Sequence, residues 1–253
     1  GSSLSRLKGE VKIESVVNLA GGYIGHLAIN SGDLFGYKAK HLVDEVNAPV
    51  IDHTAAVLGL ASPVAGNAAR AVDSRFAGEY LAELAERTAL TVELGLQSSS
   101  DATAERINRG HTFAQFLDGY RRLREISDKI EICVHIIFGL PGESREDMLR
   151  TVRDVAALKP DQVKIHLLHV LRGTVMGDIY ERGEYTPLTK EEYVSLVADA
   201  IELLPPETVV ARLTGDGLAD DLLAPDWSRK KVAVINDIDK LLYSRSSWQG
   251  MRR

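Results

Sequence analysis

The chain contains a single cysteine, Cys133, among 253 residues. One thiol excludes an intramolecular disulfide framework and a zinc site built from several thiolates. It also excludes an iron–sulfur cluster held by three or four cysteines of this chain. No run of about 18 consecutive apolar residues occurs, which excludes a membrane-spanning helix. Thirty basic residues face 36 acidic ones, a net charge of −6, so a global basic footprint for nucleic acid or an anionic membrane is missing. Residues 1–20 lack the apolar core, basic flank and cleavage site of a signal peptide, and the cytoplasm is the expected compartment. A P-loop, a Gly-x-Ser-x-Gly elbow and a His-Glu-x-x-His pair are absent as well. What is present is ordinary for a globular protein: 45% hydrophobic and 26% charged residues. The length suits one sizeable domain or a minimal α/β barrel.

The character of the chain changes near residue 72. Residues 10–72 are rich in Ala, Gly, Val and His, with weak helical periodicity, apart from a strand-like run at 11–19 before Gly21-Gly22. The pattern there predicts a helix at 34–46 and a short strand at 49–52. From Asp73 onward strands and helices alternate. Helices are expected at 74–88, 101–109, 113–126, 144–158, 189–204 and 230–243, and strands at 90–96, 130–140, 161–170 and 209–213. Ser144 with Asp147, and Thr189 with Glu192, read as capping boxes. Alternation of this kind means βαβ units and a parallel sheet. Residues 132–140 read as a strand buried on both faces. Parallel α/β proteins place their sites at the carboxyl ends of strands, here after Leu96, Leu140 and Val170.

Polar groups stand at those ends. Gln97 and Ser98 follow the first, where Gln97 offers a donor and an acceptor and Ser98 a hydroxyl. Arg109, in Asn108-Arg-Gly-His-Thr112, is of the type that clamps a carboxylate with two hydrogen bonds. Gly139-Leu-Pro-Gly-Glu143 is a turn that lets a ligand approach the backbone. His166 and His169 stand three apart toward the end of the third strand, and Arg212-Leu-Thr-Gly-Asp216 lies at the end of a fourth. Each also has a plainer reading: an exit turn, a solvated helix end, a βα turn or a structural histidine. Cys133 and His135 are read as facing opposite sides of one strand, which argues against a Cys/His pair.

Seven segments carry a resemblance: Val92-Glu-Leu-Gly-Leu-Gln-Ser98, Ile107-Asn-Arg-Gly-His-Thr112, His135-Ile-Ile-Phe-Gly-Leu-Pro-Gly-Glu143, Lys164–Thr174, Ala211–Gly217, Ala224-Pro-Asp-Trp-Ser228 and Trp248-Gln-Gly250. In this order they resemble the radical S-adenosylmethionine (SAM) superfamily. The nearest likeness is to bacterial proteins related to the Elongator catalytic subunit and to oxygen-independent coproporphyrinogen dehydrogenase.

The resemblance implies an α/β fold, a partial (β/α)6 TIM-like barrel, with SAM across the carboxyl strand ends beside a [4Fe–4S] cluster. It implies that Gln97 and Arg109 hold the ribose and methionine carboxylate of SAM, in a strand end that includes Glu93 and Ser98. Ile137 and Gly139 would shape the adenine side, with His166 and Leu168 bordering it. Similar proteins often carry Asp where His135 stands. No catalytic residue and no metal ligand is assigned. An electron donor and an unidentified substrate would be the partners. RNA is a further candidate through the Elongator-like kinship, with Arg229, Lys230, Lys231, Arg245, Arg252 and Arg253 as a local basic surface. Trp227 and Trp248 are read as anchors of the tail.

The departure from the family lies at the front. Radical SAM chemistry uses three closely spaced cysteines after the first strand, and this chain has no such loop. Residues 1–72 are read as an atypical amino-terminal segment, a diverged or replaced first part of the barrel. Residues 73–253 are read as the barrel remainder with a carboxyl-terminal helical extension. The expected protein is a radical SAM relative without radical turnover. The alternatives are a non-catalytic SAM- or nucleoside-binding barrel, a chimeric fragment of the family, or an acid–base enzyme using Glu93, His166 and His169.

Overall fold

The computed structural model describes residues 10–18, 22–30, 74–215 and 220–252, with side chains from residue 81 onward. The expected helix at 34–46 and strand at 49–52 lie outside these residues.

The central strands are built on a period of two. In β3 (Leu90–Gln97), Leu90, Val92, Leu94 and Leu96 alternate with Thr91, Glu93, Gly95 and Gln97. In β4 (Ile130–Phe138), Ile130, Ile132, Val134, Ile136 and Phe138 alternate with Glu131, Cys133, His135 and Ile137. In β5 (Gln162–Leu167), Val163, Ile165 and Leu167 alternate with Gln162, Lys164 and His166. Successive side chains of a strand point to opposite faces, so each strand has an apolar face and a mostly polar one. The apolar sets are buried throughout, whereas Glu131 is exposed and His135, Ile137, Gln162 and His166 are half-buried. Of residues 132–140, read as a strand buried on both faces, only His135 and Ile137 are less than buried, and the strand ends at Phe138.

The chain forms two compact units, Gly1–Leu96 with Ile107–Cys133, and Gln97–Arg106 with Val134–Arg253. In the first, β1 (Glu10–Asn18) and β2 (Gly22–Asn30) pair antiparallel, from Glu10 opposite Asn30 to Asn18 opposite Gly22. β1 also runs parallel to β3, with Val11 opposite Leu90 and Glu14 opposite Glu93. The first strand is therefore followed by an antiparallel return, which a short connection permits, and not by a βα crossover. Helix α1 (Ser74–Arg87) contacts α3 (Phe113–Ile126). Phe116, Tyr120 and Leu123 of α3 are buried at helical spacing. The helix starts where Thr112 and Gln115 form a reciprocal capping box.

In the second unit the sheet continues from β4 through β5 to β7 (Val209–Arg212), with β5 and β7 parallel. The segment 97–106 carries the short helix α2 (Asp101–Arg106). Helix α4 (Arg145–Leu158) opens with the expected Ser144/Asp147 box, and α6 (Lys190–Leu203) with the Thr189/Glu192 box. α4 contacts α6, and α6 contacts α7 (Lys231–Ser244). The strand expected at 161–170 is broken. β5 ends at Leu167, and the Leu168 N–H turns to the Phe138 carbonyl at 2.9 Å. β6 (Val170–Leu171) then pairs antiparallel with β8 (Leu222–Ala224) in a separate small sheet, with α5 (Val175–Glu181) between them in sequence.

The tail is fixed by polar contacts. The Gln249 amide donates to the carbonyls of Pro205 (2.5 Å) and Thr208 (2.7 Å). Gly250 sits at φ +81°, where an added Cβ would lie 2.7 Å from Pro206. Trp248 is exposed, so Gln249 and Gly250 anchor this end in its place. Trp227 does anchor, donating to the Leu188 carbonyl at 3.1 Å. Three guanidiniums of the basic cluster pair with carboxylates: Arg245 and Arg252 with Asp199 and Glu202, and Arg229 with Asp226.

The two faces of β4 predict an asymmetric response. Ile136→Ala, at a fully buried position, should cost about 2–5 kcal/mol, and Ile137→Ala on the half-buried face clearly less, measured by urea unfolding.

Candidate functional site on the polar strand faces

In the first unit the polar face is held together by its own side chains. Thr91 Oγ1 donates to Glu131 at 3.1 Å. Glu93, 2% exposed, brings a carboxylate oxygen within 4.8 Å of the Cys133 thiol. Burying a carboxyl this deeply is costly unless a partner or ligand compensates it. Cys133 and His135 stand two apart on β4 and share a face, which corrects the reading that put them on opposite sides. Sulfur, imidazole and carboxylate are metal-ligand types, but one thiolate falls short of the three a [4Fe–4S] cluster takes. The residues present do not fit that cluster.

Arg109 owes its position to its neighbours. Asn108 and Gly110 both adopt left-handed backbone, at φ 50° and 82°. Asn and Gly are the residues that tolerate this conformation, and together they turn the intervening side chain inward. Arg109 is 1% exposed, and its Nε and Nη2 both donate to the Gly95 carbonyl, Nε at 2.9 Å. Burial pulls its pKa down to about 9. His111 stacks on Phe116 with centroids 6.2 Å apart. The motif Asn108–Thr112 is therefore two left-handed turns, a buried guanidinium, a stacked ring and a helix cap.

In the second unit, Gln97 ends β3 in left-handed backbone at φ 71°. Such a conformation costs roughly 1–2 kcal/mol for a residue with a Cβ. Ser98 donates to Glu143 and accepts from the Ser100 N–H at 3.1 Å. Gly139 and Gly142 are left-handed at φ 86° and 78°. The Gly139 carbonyl accepts from the Tyr185 hydroxyl at 2.6 Å, and burial pushes that phenol up to about 12. The rings of His135 and His166 lie 5.2 Å apart, one from β4 and one from β5. Ile137 lies beyond His135 on the same face of β4. Leu168 is buried where the chain leaves β5.

His169 is off the strand, in the turn between β5 and β6, which corrects its placement on one continuous strand with His166. Its ring lies against Gly215, where an added Cβ would meet Cε1 at 3.1 Å. The second unit thus gathers Gln97, Ser98, His135, Ile137, Gly139, His166 and Leu168, and the first holds Glu93 and Arg109. The sequence reading passed over Glu143 and Tyr185 and set aside Cys133 and His135. The signal for Cys133 and His135 was their period-two spacing opposite an apolar set.

Residues 43–155 match the radical SAM superfamily, and residues 160–244 match the radical SAM C-terminal domain. The chain belongs to the radical SAM superfamily. The uncharacterised protein YtqA of Bacillus subtilis is 47% identical over 68% of this chain and 53% of its own length. Elongator complex protein 3 of Homo sapiens is 26% identical over 54% of this chain and 25% of its own. The solved structure of Methanocaldococcus infernus Elp3, truncated at its N-terminus, superposes with a TM-score of 0.55 at 21% identity. It covers 68% of this chain and 41% of that one, and shows the shared fold. The chain spans about half the length of YtqA and of two further curated relatives that it matches.

His169 predicts a pH response. Desolvation, and secondly the charge of Lys231, lower its pKa from 6.5. Below pH 6.5 the unfolded chain takes up this proton before the folded one, so stability falls with pH until the folded His169 titrates. His169→Gln should flatten this part of the stability profile between pH 7 and 5, measured by chemical denaturation.

Proposed function

We propose that this chain is a SAM-binding member of its superfamily that does not build a cluster from its own residues. The polar faces of β3, β4 and β5 carry the proposal, because they leave titratable groups inside an otherwise apolar fold. On the resemblance, Gln97 meets the ribose and Arg109 the methionine carboxylate, with Ile137, Gly139, His166 and Leu168 toward the adenine and Glu93 and Ser98 at the same strand end. Two observations support this assignment. The left-handed backbone of Gln97 is the kind of local strain that concentrates at binding sites. The guanidinium of Arg109 is desolvated enough to lower its pKa, and a carboxylate beside it would favour the charged form.

SAM fits this donor set: an amide for hydroxyls, a guanidinium for a carboxylate, and aliphatic and imidazole groups for a base. Within the family SAM is the source of a 5′-deoxyadenosyl radical, and that chemistry needs the cluster. Here the chain's residues bind and orient the nucleoside and keep water from the buried end of the site. No turnover step follows from them, since the thiolates are lacking.

The experiment is a calorimetric titration of the purified chain with SAM. Binding should be measurable, and Gln97→Ala and Arg109→Ala should each weaken it by about 1–3 kcal/mol, the value of hydrogen bonds to charged or polar ligand groups. Unchanged affinity in both variants would remove the assignment. Under strong reductant the chain should release no 5′-deoxyadenosine, and detecting it would overturn the cluster-free reading.

A further inference from the structure

The segment 97–106 groups with the second unit although the residues on both sides of it, up to Leu96 and from Ile107, belong to the first. Hydrogen bonds to the turn and helix that follow β4 hold it there. Ser98 Oγ donates to the Glu143 carboxylate, and the Thr103 hydroxyl bonds the same group. The Ser99 N–H donates to Thr151 Oγ1 at 3.0 Å. Arg106 Nη1 donates to the Pro141 carbonyl at 2.7 Å and lies 2.6 Å from where a Cβ on Gly142 would be. Glu143 is the only carboxylate among these contacts, and it stands one residue ahead of the Ser144 cap of α4.

We propose that Glu143 is a positioning residue: by gripping the Ser98 and Thr103 hydroxyls it holds Gln97 in its left-handed conformation at the end of β3. For Gln97's task this rests on the SAM reading above. The grip itself does not. The geometry is a short chain of bonds. The Ser100 N–H donates to Ser98 Oγ, which frees the Ser98 proton to point at Glu143. An ionised carboxylate accepts both hydroxyl protons as charge-assisted bonds, whereas a protonated one accepts them only as neutral bonds. The grip is therefore strongest when Glu143 is ionised.

Burial raises the pKa of Glu143 above 4.5 against the opposing pull of the Ser98 and Thr103 bonds. Asp147 on α4 adds to the rise and Arg150 on α4 opposes it. From α2, Arg106 reaches the same turn. The segment should loosen as pH falls through this titration, on the high side of the ordinary carboxyl range.

The test has two arms. In the first, hydrogen exchange of the 98–103 amides is followed from pH 7 to 4 and corrected for intrinsic rates. Wild-type protection should drop as pH falls. Glu143→Gln keeps an accepting oxygen without the charge and should show intermediate, pH-independent protection. Glu143→Ala should expose the segment about tenfold more at pH 7, the worth of one lost charge-assisted bond. Equal protection in wild type and both variants across this range would overturn the grip. In the second arm, SAM affinity at pH 7 should fall about tenfold in Glu143→Ala and be restored in large part by Glu143→Gln. If wild type binds SAM and Glu143→Ala binds it equally well, the positioning role is overturned. If the exchange pattern holds and wild type binds no SAM, the grip stands and the SAM reading fails.

Discussion

Much of this structure depends on a conflict within its central strands. Each of β3, β4 and β5 has one apolar, buried face and a second that carries polar groups, most of them into buried or half-buried positions. The aliphatic sets Leu90–Leu96, Ile130–Phe138 and Val163–Leu167 form the core. The opposite faces carry Glu93, Cys133, His135, Lys164 and His166 into partly or wholly enclosed positions. A buried carboxyl or ammonium costs several kcal/mol unless compensated. A sequence built for stability alone would fill these positions with Val and Ile, as parallel sheets buried on both faces usually do. The polar rows are where these strands depart from that pattern.

A second constraint operates in the turns. Gln97, Asn108, Gly110, Gly139 and Gly142 all adopt left-handed backbone. Four are Gly or Asn placed where a turn demands them. Gly142 has the further need that any Cβ would run into Arg106. Gln97 is different, since a long side chain in this conformation must be held by its surroundings, and the bonds made by Ser98 and Ser99 supply the hold. Arg109 expresses the same logic through burial, since its guanidinium is enclosed and braced on the Gly95 carbonyl.

The family relationship and the cysteine count meet at Cys133. The superfamily's shared chemistry rests on thiolates in a loop, whereas this thiol lies in the middle of β4 and is fully buried. It packs in the strand face beside Glu93. The Trp248-Gln-Gly250 ending, which contributed to the resemblance, proves to be architectural. Gln249 satisfies two backbone carbonyls and Gly250 passes where no other residue fits, so the motif fastens the tail over the end of α6.

The sequence alone determined the order of the main helices and strands from residue 74 onward, though not α5, β6 or β8, together with the capping boxes at Ser144 and Thr189 and the polar strand ends at Gln97 and Gly139–Glu143. These are local matters of periodicity, side-chain to backbone capping and turn chemistry, which act over a few residues. It also determined, by counting one cysteine, that the chain cannot itself hold the family's cluster. Tertiary structure decided what depends on partners far apart in the chain. The early termination of β5 follows from Leu168 bonding to Phe138, and the antiparallel course of β2 from its pairing with β1. The buried setting of Arg109 needs Gly95, and the hold on Gln97 needs Glu143, 46 positions away by residue number. The shared face of Cys133 and His135 lies between these cases. Its alternation was written in the strand, but the approach of Glu93 to Cys133 needed the pairing of a neighbouring strand.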